Sequence, residues 1–121
     1  MALRMCQIAI DAADPAALAR FWAEALDQQV FVDSDGDVIV ASDAHTFPGL
    51  IFVPVPEAKQ VKNRLHIDLA ADNQEAEVAR LLSLGAVHVD VGQSADVTWQ
   101  VLSDPEGNEF CVLAPKQSFT G

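Results

Sequence analysis

Three ionisable residues alternate along one short predicted strand near the middle of the chain. They are Arg64, His66 and Asp68, and the apolar residues Leu65 and Ile67 lie between them. Because strand side chains point alternately to opposite faces, the three ionisable groups share one face. Such groups are costly to bury and occur where recognition or catalysis needs them, which predicts the lining of a ligand pocket. The alternative left open is a solvated face or a mutually satisfied polar network.

The chemistry of this face depends first on His66. An unperturbed imidazole titrates near neutral pH, so His66 is a candidate general base or metal ligand. Asp68 or Glu109 would then relay the proton. Cys111 is a candidate nucleophile if His66 or Arg64 lowers the pKa of its thiol. The alternative for Cys111 is a small buried core residue.

These residues belong to a sequence unit that occurs twice. One copy begins Gln7-Ile-Ala-Ile-Asp-Ala-Ala-Asp-Pro and the other His66-Ile-Asp-Leu-Ala-Ala-Asp-Asn, and a predicted helix follows each. A unit too short to bury its own apolar face must pack against its copy. We therefore expect one domain, 1–121, made of two modules at about 1–56 and 63–116. Gln7 and His66 would face each other across a cavity between the modules.

Each module is predicted to contain a strand, a helix and three strands. Asp14 is the expected N-cap and Pro15 the first residue of a helix that ends near Asp27, and Gly85 ends a second helix over 73–84. The predicted strands cover 4–10, 28–33, 37–42, 50–55, 64–70, 86–91, 96–102 and 109–114. The proline-containing segment 54–63 is the predicted linker. The fold class is α+β, with two tandem βαβββ modules forming a curved, cleft-bearing mixed sheet and helices on its outer face.

Alternation also predicts which strand residues face the helices. Leu65, Ile67 and Leu69 are expected under the second helix, and Cys6, Ile8 and Ile10 under the first. The inward set is then expected to comprise Gln7, Ala9, Asp11, Glu109, Cys111 and Leu113.

Composition excludes several classes of partner. The formal net charge of -11 argues against binding nucleic acid or an anionic membrane surface, since both need clustered Lys and Arg. No apolar run approaches the roughly 20 residues of a membrane span, and Met1-Ala-Leu-Arg lacks the pattern of a secretory signal. A cytoplasmic location is the expectation. Cys6 and Cys111 predict no disulfide framework, and His45 and His88 are interpreted as a loop residue and an exposed strand residue.

Several motifs in the doubled unit carry a family resemblance. They are Phe21-Trp22 in the first helix, the segment 63–68 (Asn-Arg-Leu-His-Ile-Asp), Trp99 and the segment 104–110 (Asp-Pro-Glu-Gly-Asn-Glu-Phe). With the repeated strand-helix-three-strand order, the chain resembles the vicinal oxygen chelate superfamily of glyoxalase I, bleomycin-resistance proteins and extradiol dioxygenases. Small glyoxalase-like domains typical of actinobacteria are the most similar group. The resemblance covers essentially the whole chain.

The resemblance implies a metal site with one ligand from the first and one from the last strand of each repeat. Carried over by position, the ligands fall on Gln7, Phe52 or Val53, His66 and Cys111. Phe52 and Val53 cannot bind a metal, and a mixed Gln, His and Cys set is unusual for a hard divalent cation. Glu109 could substitute for Cys111. We therefore expect Gln7, His66 and Cys111 to be vestigial metal positions and the protein to have no cofactor, with a divalent metal as the alternative.

Three functions follow from these observations. The preferred one is a metal-independent module that binds a small organic molecule through Gln7, Phe52, Arg64, His66, Asp68, Trp99, Glu109 and Cys111. The second is a glyoxalase-type lyase or isomerase that acts on an α-hydroxycarbonyl compound or a thiol adduct, with His66, Asp68 and Glu109 as candidate catalytic residues. The third is an interaction domain without a small ligand. A homodimer is expected, and the linker over 54–63 could permit exchange of halves.

Overall fold

The computed structural model describes residues 3–43, 45–90, 92 and 97–115. It has the predicted α+β content, with a four-stranded mixed sheet and one helix in each of two units, Met1–Ala58 and Lys59–Gly121. We call these units the first and second modules. The elements are β1 (Gln7–Ala12), α1 (Pro15–Leu26), β2 (Gln29–Val32), β3 (Val38–Ala41), β4 (Gly49–Pro54), β5 (Ile67–Ala70), α2 (Gln74–Leu84), β6 (Val87–His88), β7 (Gln100–Ser103) and β8 (Glu109–Leu113). No helix in the described ranges is long and apolar enough to cross a membrane.

The first module is a sheet with the strand order β1-β4-β3-β2 and one helix on it. Strand β1 runs parallel to β4, and the other pairs are antiparallel. Helix α1 starts as predicted, because the Asp14 carboxylate accepts a hydrogen bond from the Ala17 backbone N–H at 3.2 Å and Pro15 is the first helical residue. The largest fully buried side chains in this module are Leu18, Trp22, Val40 and Phe52.

The second module repeats this topology with the order β5-β8-β7-β6, in which β5 runs parallel to β8. Asn73 caps helix α2 by accepting a hydrogen bond from the Ala76 backbone N–H at 3.1 Å, and Gly85 ends it in the left-handed region at φ 119°. That conformation is one that glycine adopts without steric cost, so the predicted helix end is confirmed. Leu81, Leu102, Phe110 and Val112 form the buried centre.

Two hairpins in different positions use the same turn. Between β2 and β3, the Asp33 carboxylate accepts hydrogen bonds from the backbone N–H groups of Asp35 and Asp37, both at 2.9 Å. Between β7 and β8, Asp104 accepts the corresponding bonds from Glu106 and Asn108 at 2.9 and 3.0 Å. The two carboxylates therefore hold the backbone of their hairpins, and Asp104 is itself buried.

The edges of several strands differ from the sequence prediction. Strand β5 begins at Ile67, so Arg64 and His66 precede it, and Leu65 is 88% exposed where we expected it under the helix. Strand β1 extends over Gln7–Ala12 rather than 4–10, and Ile8 remains 41% exposed. Both strands are at a sheet edge and pair on one side only: β1 begins opposite Gly49, the first residue of β4, and β5 begins opposite Phe110, near the start of β8. Part of the predicted strand 96–102 lies outside the described residues.

Candidate functional site

The second module contains a cavity of about 270 Å³ on the face of its sheet that is not covered by α2. Strand register explains its polar wall, because Asp68 on β5 lies directly opposite Cys111 on β8, and Cys111 lies opposite Val101 on β7. Side chains of such paired residues point to the same face. Cys111, Val101 and Asp68 are accordingly brought together, as alternation predicts for Asp68 and Cys111. The other residues that line the cavity are Lys62, His66, Trp99, Glu109 and Leu113.

His66 and Asp68 form a hydrogen-bonded pair at the edge of this cavity. The distance from His66 Nδ1 to Asp68 Oδ1 is 2.9 Å, and both side chains are about half exposed. When Asp68 is ionised its carboxylate can only accept, so this hydrogen bond then requires a hydrogen on Nδ1. A neutral imidazole then retains Nε2 as an acceptor, which can receive a hydrogen bond or a proton from a ligand.

Cys111 lies in surroundings that keep its thiol protonated. Burial, followed by the negative charge and hydrogen bond of Asp68, raises the pKa of Cys111 to about 11. The Lys62 ammonium acts in the opposite direction without offsetting these effects. A nucleophilic cysteine requires a lowered pKa, so the arrangement is unfavourable to the nucleophile hypothesis. Cys111 is a buried core thiol whose sulfur also reaches the cavity wall.

Glu109 is held by the segment that precedes β5. Its carboxylate accepts a hydrogen bond from the Asn63 backbone N–H at 2.9 Å and lies 3.0 Å from Lys59 Nζ. Burial is the largest single effect and raises the pKa of Glu109, but the Asn63, Lys59 and Glu109 backbone hydrogen bonds and the Lys59 charge together hold it below the ordinary value. We refer to Glu109, Lys59 and Asn63 as the clasp. A carboxylate engaged in this way is a weak base, which argues against Glu109 as the proton relay.

The clasp explains which basic residue reaches the cavity. Lys62 lies between Lys59 and Asn63 in the chain and lines the cavity, whereas the exposed Arg64 is absent from the lining. Arg64 lies outside this cavity because the strand starts only at Ile67, so strict alternation does not extend back to residue 64. Sequence reasoning missed Lys62, although the local basic charge of segment 54–63 was a signal.

In the first module, two predicted site residues lie on opposite faces of the sheet. Gln7 lines a separate cavity. Phe52 is fully buried, on the face it shares with Val38 and Ile10 through strand register, so its ring offers no exposed surface for stacking in this structure. Of the predicted ligand-binding residues, His66, Asp68, Trp99, Glu109 and Cys111 share one cavity, and Gln7, Phe52 and Arg64 do not line it.

Strand register also identifies the first-module counterpart of Cys111. In the repeat that aligns Gln7 with His66, Ala9 corresponds to Asp68. Asp68 is paired with Cys111, and Ala9 is paired with Ile51. The position equivalent to Cys111 is therefore Ile51 rather than Phe52 or Val53. Isoleucine has no donor atom, so the ligand set carried over by position lacks a donor at Ile51.

A different group of potential metal ligands exists within the second module. One ligand atom each from His66, Asp68 and Cys111 lies within 4.8 Å of the others. Nitrogen, oxygen and sulfur donors of this kind suit zinc and related transition ions, provided that the thiol loses its proton. A second group among the described residues, Asp33, Asp35 and Asp37, is accounted for by the hairpin turn.

Comparisons with known proteins agree with the fold. The family model described as a glyoxalase-like domain matches residues 7–113. No curated protein sequence matches the chain significantly. Among solved structures, a glyoxalase/bleomycin resistance protein/dioxygenase family enzyme from Burkholderia phytofirmans is 18% identical, with 93% of this chain and 98% of that chain covered and a TM-score of 0.69.

Two further solved structures belong to proteins with different functions. TnmS3, an antibiotic-binding protein from a Streptomyces species, is 19% identical over 95% of this chain and 98% of that chain, with a TM-score of 0.61. Glyoxalase I of Leishmania major is 15% identical over 96% of this chain and 89% of that chain, with a TM-score of 0.62. At these identities the likeness establishes the fold alone, which supports more than one chemistry.

Proposed function

Since this chain belongs to the glyoxalase-like domain family of the vicinal oxygen chelate superfamily, we propose that it binds a small organic molecule in the cavity of its second module, without an intact four-ligand metal site. One observation carries the proposal. A cavity of about 270 Å³ combines a cation, an imidazole–carboxylate pair and an aromatic ring with an apolar wall. Ligand pockets typically combine such an apolar lining with a few convergent polar groups.

The lining indicates the chemical class of the ligand. Val101 and Leu113 offer apolar contact, and Trp99 offers a ring on which a planar group can stack. Lys59 is engaged by Glu109, so Lys62 is the lysine in the lining that can reach a ligand. We expect a molecule with an apolar or planar body and an edge of electron-rich or anionic oxygen atoms. The structurally similar protein TnmS3 binds an antibiotic, which is consistent with this class.

The experiment is a search for ligands by NMR with ¹⁵N-labelled protein. A library of small carboxylates, phenols and carbonyl compounds is added, and amide shifts are followed in β5, β7 and β8. Trp99→Ala and Lys62→Met should weaken any ligand found by about tenfold each, through loss of stacking and of a charge contact. Arg80→Met is the matched control, because it removes one positive charge on α2 away from the cavity. If no compound shifts these amides, or the control weakens binding equally, the proposal fails.

A second candidate function is a metal-dependent lyase or isomerase of the glyoxalase type, and the close group of His66, Asp68 and Cys111 favours it. A bound divalent transition ion would polarise a substrate oxygen as a Lewis acid. The test is the metal content of tag-free protein after incubation with Zn²⁺ or Co²⁺. One ion per chain that is lost in Asp68→Ala and retained in Gln7→Ala would support this local set. Absence of stoichiometric metal under all conditions would exclude this candidate.

A further inference from the structure

The first module contains a cavity of about 300 Å³ that the proposed function does not use. Its floor is formed by Ile39, Ala41 and Gly49, and the aromatic residues Phe31 and Phe47 also line it. Strand register places Phe31 opposite Ile39, so both side chains point to the same face of the sheet. The cavity is therefore built on strands of the sheet, with Phe47 contributed by the loop before β4.

Gly49 keeps the floor of this cavity open. A Cβ at this position would meet Ile39 Cγ2 at 3.5 Å and Ala41 Cβ at 3.6 Å, which is ordinary van der Waals contact with both floor residues. Any larger side chain would project from the floor. The absence of a side chain at Gly49 therefore leaves space in a cavity that Phe31 and Phe47 also line.

The charges in this cavity are of one sign. Its ionisable lining residues, among those the structure describes, are the two carboxylates Asp33 and Asp43 and the thiol of Cys6, and no Lys, Arg or His lines it. Hydrogen bonds from the His45 backbone N–H and the Thr46 side chain lower the pKa of Asp43, so it is ionised at neutral pH. The second-module cavity differs, because Lys62 lines it.

Apolar surface is exposed beside these carboxylates. Phe47 is 59% exposed and Val32 is 68% exposed, and both line the cavity. Aromatic faces attract cations, and two nearby carboxylates add Coulomb attraction within a chain whose net charge is -11. None of the described lining residues offers a positive charge to an anionic ligand. We propose that the first-module cavity is a second binding site, selective for a planar hydrophobic cation such as an aromatic amine or a quaternary ammonium compound.

The test compares two tricyclic probes of similar size and opposite charge, proflavine and 9-anthracenecarboxylate. Each is titrated into ¹⁵N-labelled protein, and affinity is read from the amides of Ile39, Ala41 and Gly49. Proflavine should bind at least tenfold more tightly than the anion at these amides. The double variant Asp33→Asn, Asp43→Asn should weaken proflavine by roughly tenfold, the sum expected for two partly exposed ion pairs.

The double variant is chosen to preserve the fold. Asparagine keeps a side-chain oxygen that can accept the turn hydrogen bonds from Asp35, Asp37 and His45. The matched control is Glu57→Gln, Glu75→Gln, which changes net charge equally without altering the lining. Equal affinity of the two probes, equal weakening in the control, or proflavine binding that depends on Trp99 instead of the Asp33 and Asp43 pair would each overturn the proposal. None of these results depends on whether the second-module cavity binds a ligand.

Discussion

The clasp between Glu109, Lys59 and Asn63 makes a quantitative prediction for stability. The Glu109 and Lys59 side chains are only 13% and 19% exposed, and the carboxylate also accepts the Asn63 backbone N–H at 2.9 Å. Hydrogen bonds to charged groups contribute roughly 1.5–3 kcal/mol, and leaving a buried charge unpaired costs more than an exposed one. We therefore expect Glu109→Ala to lower the free energy of unfolding by about 3 kcal/mol.

The assay is a double-mutant cycle with urea unfolding at pH 7. The cycle uses Glu109→Gln, Lys59→Met and the combined variant, and a coupling energy of about 1–2 kcal/mol is expected. The exposed pair Arg80 and Glu77, with side chains 42% and 43% exposed, is the control. Glu77→Ala should cost about 0.5 kcal/mol, since exposed ion pairs contribute little.

The pH dependence of the clasp has a definite sign. The folded pKa of Glu109 is lowered, so its stabilisation is fully present above the unfolded glutamate pKa of about 4.3. That stabilisation is lost as pH falls through the lowered folded pKa. The advantage of wild type over Glu109→Gln should therefore be full at pH 7 and shrink below about pH 4. A coupling energy near zero at pH 7, or an advantage that grows at low pH, would refute the reasoning.

Three further predictions concern single side chains. Iodoacetamide at pH 8 should alkylate the exposed Cys6 much faster than Cys111, because the Cys111 pKa of about 11 leaves roughly one thiolate in a thousand. The substitution Asp68→Asn should speed the alkylation of Cys111. Peptide mass spectrometry measures both rates. Phe52→Ala should lower the free energy of unfolding by about 3–5 kcal/mol, because it empties a fully buried volume. Asp104→Ala should cost about 2–4 kcal/mol in the same urea assay and Asp104→Asn less, because asparagine keeps a side-chain acceptor for the Glu106 and Asn108 backbone N–H groups.

The ends of the helices could be predicted from the sequence, whereas the start of strand β5 could not. The N-cap Asp14, the first helical residue Pro15 and the helix end at Gly85 were predicted correctly, because capping involves groups a few residues apart. The start of β5 was misplaced, because hydrophobic alternation continues through Arg64 and Leu65 although the strand begins at Ile67. An alternating pattern does not record how far a partner strand extends.

The candidate site depends on contacts between distant strands, so the sequence predicted only part of it. The sequence by itself determined the doubled βαβββ plan and the helix limits, since these depend on periodicity and local hydrogen bonds. Only the tertiary structure decided which residues meet across strands. The register of β5 with β8 places Asp68 beside Cys111, and the clasp on Glu109 brings Lys62 to the cavity. Hydrogen bonds between distant segments set that register, and a shift of one residue would turn every side chain to the other face.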